Sequence, residues 1–212
     1  MMENIDELIA RLAQDTALVK IAPHPFMLTA KWTGGAVVYL LLSLMFFGMR
    51  PDLMTKLHET WFAAEIASLA GVLISTALSA ALLSYPDLHQ KRRIVFAPIA
   101  AFALFALVIF FAWRADSPSS PLPIHNIECT RSITMISLLP AALMFYAMRK
   151  FASTHYLWSG TLALLFAFSV GALWERLHEQ TDSIIHVIEW HYLPIIGFGI
   201  IGMWLGKALL KW

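Results

Sequence analysis

Six apolar runs, at residues 33–49, 61–84, 94–113, 133–148, 156–174 and 192–210, decide most of what this chain can fold into. Each is close to the ~20 residues that a helix needs to cross the hydrocarbon core of a bilayer. Backbone N–H and C=O groups find no water there and must pair within their own segment. The expected fold class is therefore all-α: a polytopic membrane protein with six transmembrane helices. A barrel would need alternating segments of about ten residues, which the sequence lacks. Composition agrees, with 59% of 212 residues hydrophobic, 14% charged and a mean hydropathy of +0.68. A water-soluble chain of this length exposes too much surface for those values. The first and fourth runs are short, at 17 and 16 residues, and Lys31 and Arg131 just before them can extend them by snorkelling.

An even number of spans leaves both termini on one side. Ten basic residues fall on that side, Arg11, Lys20, Lys31, Lys91, Arg92, Arg93, Arg149, Lys150, Lys207 and Lys211, against five on the other. The positive-inside rule places both termini in the cytoplasm. No basic cluster exceeds Lys91, Arg92 and Arg93 and the net charge is +1, so no direct nucleic-acid partner is expected. The first 25 residues carry Glu3, Asp6, Glu7 and Asp15 where a signal peptide has a basic start, and none is expected. The lone cysteine, Cys129, rules out a disulfide within the chain.

Acids and histidines gather outside. The stretch ERLHEQTDSIIHVIEWH, residues 175–191, holds four acids and three histidines between two oily runs. On one continuous helix, Glu175, His178, Glu179, Asp182, His186 and Glu189 would share an arc of roughly 100°. Asp182 could instead cap a new helix and split the stretch in two. The commonest meaning of such a stripe is a wet face, with Ile184, Ile185, Val187 and Ile188 turned to lipid or protein. A divalent transition-metal site drawn from Cys129, His178, Asp182 and His186 is a second reading, since imidazole, carboxylate and thiolate suit zinc-like ions. Proton sensing by the histidines is a third. Glu65, about one turn inside the second span, needs a partner, and Arg114 and Arg131 are the expected ones. The Gly202 to Gly206 spacing points to close helix packing or a homodimer.

The N-terminal segment IDELIARLAQDTALVK reads as an amphipathic helix. Ile5, Leu8, Ile9 and Leu12 form one apolar stripe, flanked by Asp6, Glu7 and Asp15. Helices that lie on anionic lipid are usually rich in Lys and Arg. This acidic one fits a basic protein partner better, the stripe supplying affinity and the acids steering.

The order of these features resembles the NrsF-like family of six-span membrane anti-sigma factors. The matching elements are the acidic N-terminal helix, GMRPDL after the first span and CTRSITMISLLPAALMFYAMRKFA with Pro140 inside it. They continue with RLH before the last outer loop, a WH entry to the sixth span and LGKALLKW at the end. The resemblance implies a bacterial inner-membrane protein in a lipid bilayer, with a cytoplasmic segment at 1–30 that binds an extracytoplasmic-function sigma factor. Residues 31–212 would then form the transmembrane domain, with periplasmic loops at 50–60, 114–132 and 175–191. It implies release of the sigma factor on an outside metal or oxidative stress, through a pair of outward-facing cysteines. Cys129 corresponds to the first of that pair, and Glu179 stands where the second would be. Cys129, His178, Glu179, Asp182 and His186 are thus the candidate sensor residues. No catalytic residues are expected. A small transporter, or a membrane enzyme using the outer His/carboxylate cluster, is the alternative.

Overall fold

A computed structural model describes residues 5, 9–10, 23–85, 93–115, 127–151, 153 and 155–211. The described residues form helices joined by short loops, with no strand among them, and six of the helices are long and apolar enough to cross a membrane. In chain order these are α1 (Pro25–Phe47), a short α2 (Leu53–Leu57), α3 (Thr60–Leu83) and α4 (Ala97–Ala115), which a 3-10 turn at Ile94–Phe96 precedes. Then come α5 (Ile127–Met148) and α6 (Tyr156–His178). The last span, Ile184–Leu209, is composite: α7 (Ile184–His186), a π turn (Val187–Tyr192) and α8 (Ile195–Leu209).

The helices run farther than the apolar runs. The first begins at Pro25 and the fourth at Ile127, the fifth continues to His178, and the sixth starts at Ile184. Hydropathy ends a run at the first charged side chain, but helical hydrogen bonding depends on the backbone and continues through it. Lys31 therefore lies within α1, and Glu128 and Arg131 lie within α5.

Helix α6 is the hub. Within its most apolar window 83% of the residues are buried inside the protein, against 17% for α1 and 22% for α4. The outer helices turn large apolar side chains such as Met45, Phe46 and Trp204 outward, as lipid contact requires. Between α6 and α8 the backbones nearly touch: a Cβ on Gly160 would strike the backbone of Gly202 and Gly206. The small-residue face expected to pack or dimerise is occupied within the chain.

Two prolines open the helical ladder, and a neighbouring hydroxyl closes each gap. Pro140 has no N–H for the carbonyl of Ile136, and Tyr39 of α1 donates to it at 3.0 Å. Pro194 likewise leaves the Trp190 carbonyl without its helical donor, and Thr130 Oγ1 supplies one at 2.6 Å. Each repair also joins two helices across the bundle.

Of the N-terminal stripe, Ile5 and Ile9 are helical and exposed. Asp6, Glu7, Leu8, Leu12 and Asp15 lie outside the described residues.

Candidate functional site

At one end of the bundle α1, α4 and α6 finish, while α3, α5 and the last span begin. This end, the cap, gathers the buried charged and histidine side chains of the described residues. Residues 175–191 are not one helix: α6 stops at His178, Glu179 is extended (φ −84°, ψ 145°), and helix resumes after Ser183. The break falls where Asp182 was expected to cap, but the capping position is Ser183, with no side-chain bond. Nor is the stretch a wet stripe. Glu175 and His186 are buried, and only Asp182 and Glu189 of the six stripe residues are exposed. Ile184 and Val187 are buried as well, so this segment is enclosed on both sides.

The π turn sets the site. The N–H of Leu193 donates to the carbonyl of Ile188 at 2.9 Å, a bond spanning five residues. On an α-helix, residues five apart diverge by about 140°. The wider turn brings His186 and His191 to one side, with ring centroids 5.3 Å apart. Cys129, in the first turn of α5, faces them: its Sγ lies 3.4 Å from His186 Nε2 and 3.1 Å from Glu179 Oε2. His191 Nε2 is 3.2 Å from that same Glu179 oxygen, though off the hydrogen-bonding line. Thr181 Oγ1 fixes the other oxygen of Glu179 at 2.6 Å. The four donor atoms of Cys129, Glu179, His186 and His191 lie within 4.8 Å of one another. Burial works against ionisation of Glu179, yet its contacts with His191, Thr181 and Cys129 hold its carboxyl well below the usual range.

A second buried cluster lies beside the first. Arg176 forks onto Glu65, Nε to Oε1 at 2.7 Å and Nη2 to Oε2 at 3.0 Å, and Nη1 donates to the Thr181 carbonyl at 3.1 Å. The Tyr192 hydroxyl also donates to Glu65. Glu65 therefore pairs with Arg176, and the expected partners Arg114 and Arg131 are exposed. The true partner sits on α6, which composition could not distinguish from other cap cations.

A third cluster closes the cap at its rim. Gly48, at φ +96°, ends α1 in a conformation that favours glycine, and its carbonyl lies 2.8 Å from His178 Nδ1. His178 stacks on Trp174. The Arg50 N–H donates to the Leu177 carbonyl at 3.0 Å, tying α1 to α6. The Arg50 guanidinium bridges Asp52 (2.8 Å) and Asp182 (3.1 Å), and Lys56 reaches Asp182 at 2.9 Å. Burial opposes the charge on Asp182, but Arg50 and Lys56 outweigh it and hold the carboxyl below its ordinary value.

Of the metal set read from the sequence, the fold unites Cys129 and His186 and sends His178 and Asp182 to the rim. Glu179, a sensor candidate, joins the inner cluster. His191 escaped the sequence reading because five-residue spacing lies off an α-helical stripe. The residues preceding Pro194 were the available signal, since a proline there must disturb the ladder.

Fold and site together define a six-span helical protein with a polar centre beneath one end. Residues 12–212 match the family described as negative regulator of sigma F, and the chain belongs to this NrsF family, a family of negative regulators rather than enzymes. It is 27% identical over 213 residues to the anti-sigma-F factor NrsF of Caulobacter vibrioides, covering 98% of this chain and 99% of that protein. No solved structure matches it.

Proposed function

We propose that this chain is an inner-membrane anti-sigma factor that holds an extracytoplasmic-function sigma factor at its cytoplasmic N-terminal segment and releases it when metal or oxidative stress reaches the cap. Family membership across residues 12–212 carries this reading. The basic-residue asymmetry supports cytoplasmic termini and a periplasmic cap. Ile5 and Ile9 are exposed, as a free docking stripe requires. Ile5, Leu8, Ile9 and Leu12 would bury against the sigma factor, with Asp6, Glu7 and Asp15 meeting its basic surface. Release needs a coupling free energy between cap and segment. Helix α6 supports such coupling, since it carries Arg176 and His178 at the cap and packs against α1, which leads back toward the N-terminal segment.

The test is co-purification from the host in detergent, with bound proteins identified by mass spectrometry. The full-length chain should retain a sigma factor, and a version lacking residues 1–22 should not. Leu8→Asp with Leu12→Asp should also abolish retention while the six spans still insert. Retention by that double variant, or no sigma factor on the intact chain, would overturn the reading.

A further inference from the structure

We propose that Cys129, Glu179, His186 and His191 form a four-ligand site for a divalent transition cation of the zinc class. The donors are one thiol sulfur, two imidazole nitrogens and one carboxylate oxygen, a mixture that zinc-like ions accept in tetrahedral geometry. Zinc–ligand bonds of about 2.0–2.3 Å place neighbouring ligand atoms roughly 3.3–3.8 Å apart. The measured separations of 3.1, 3.2 and 3.4 Å sit beside that range, and no pair exceeds 4.8 Å.

A second observation, independent of the cysteine, also points to a ligand. His191 is fully buried, and neither of its ring nitrogens has a hydrogen-bond partner among the described residues. His186 is 2% exposed, and its Nδ1 is equally unpartnered. Buried imidazoles left this way cost free energy unless something else engages them. Glu175, also buried, leaves Oε2 unpartnered beside Cys129 and Glu179. A cation relieves part of this: it takes one nitrogen from each ring, and it offsets two acids held close together.

The surroundings suit a built site. Thr181 orients the Glu179 carboxylate, as outer-sphere hydrogen bonds do for metal ligands. Glu179 is the least buried of the four and gives the ion its route in. Coordination costs Cys129 its thiol proton, which passes to solvent, while both imidazoles bind neutral. The bound ion would join α5, the 179–183 loop and the π turn. Its regulatory meaning rests on the anti-sigma reading, whereas its existence does not.

The test uses the full chain, purified in detergent, stripped with chelator and titrated with Co²⁺ as a spectroscopic stand-in for zinc. The expected result is one equivalent bound, with intense tetrahedral d–d bands and a thiolate-to-cobalt charge-transfer band, all erased by Zn²⁺. Cys129→Ser should lose the charge-transfer band, and His186→Gln with His191→Gln should lose saturable binding. His178→Ala should titrate like the parent. Helical circular dichroism and a single elution peak establish folding, and the single His191→Gln variant replaces the double one if that fails. No charge-transfer band on the folded parent, or an unchanged titration in His191→Gln, overturns the site. No sigma factor is present here, so failure leaves the anti-sigma reading standing. Failure of the co-purification equally leaves the metal site standing.

Discussion

Two buried polar clusters lie side by side beneath the cap, and they are finished to different degrees. In the first, Glu65 receives both arms of Arg176 and the Tyr192 hydroxyl, and Arg176 spends its remaining arm on a carbonyl. In the second, Cys129 and Glu179 meet two histidines whose other nitrogens have no protein partner among the described residues. Thr181 touches both: its hydroxyl donates to Glu179 and its carbonyl accepts from Arg176. A satisfied buried network fixes structure, whereas an unsatisfied one persists where a ligand completes it.

That contrast makes measurable claims about stability. The largest effect belongs to Arg176→Ala, which strands Glu65 in the interior. Losing one partner of a buried pair costs about 3–5 kcal/mol, to be read from chemical denaturation in detergent. Replacing both, Glu65→Leu with Arg176→Met, should recover most of that loss, because the uncompensated charge disappears. Next, Tyr192→Phe removes one charge-assisted bond to Glu65 and should cost about 1–3 kcal/mol. A cost near zero would mean that the first cluster is no better satisfied than the second.

The rim should respond to pH with a definite sign. Asp182 has a folded value below its ordinary one, so its stabilisation is complete above the ordinary carboxylate range. It is lost as pH falls through the depressed folded value, that is, below about 4. At pH 7 Asp182→Asn should cost only about 0.5–1 kcal/mol, because the side chain is 40% exposed and solvent screens it. The gap in Tm between this variant and the parent should close on acidification below that range. A gap constant across pH would remove the ion pair from the account.

The smallest effect belongs to the inner cluster with metal excluded. His191→Leu removes an imidazole that has no hydrogen-bond partner among the described residues, and stability should move by no more than about 0.5 kcal/mol in either direction. A loss of several kcal/mol in chelator would show that His191 is a finished structural contact, and the contrast between the clusters would collapse.

Particular residues show how far the sequence could be read. The six spans were legible because hydropathy sums over some twenty residues, and single errors average out. Their ends were not, since helices α5 and α6 extend through Glu128, Arg131, Glu175 and Arg176. Glu65 stood out as an acid in need of a partner, but only the packing of α3 on α6 chose Arg176 over Arg114 and Arg131. Cys129, Glu179 and His186 were named before any geometry, while His191 depended on the π turn.

The sequence by itself determined the all-helical, six-span character and the gathering of acids and histidines toward one end. Those properties follow from composition along the chain, where each residue contributes independently of its distant neighbours. Only the tertiary structure decided which polar groups meet. Contacts such as Cys129 with His186, or Glu65 with Arg176, join residues 57 and 111 positions apart. Their geometry depends on a break after His178, a change of helical pitch before Pro194 and the close approach that Gly160, Gly202 and Gly206 permit. Shifting a helix by one residue turns it by about 100° and would exchange a buried ligand for a lipid-facing side chain. Packing, not pattern, sets that register.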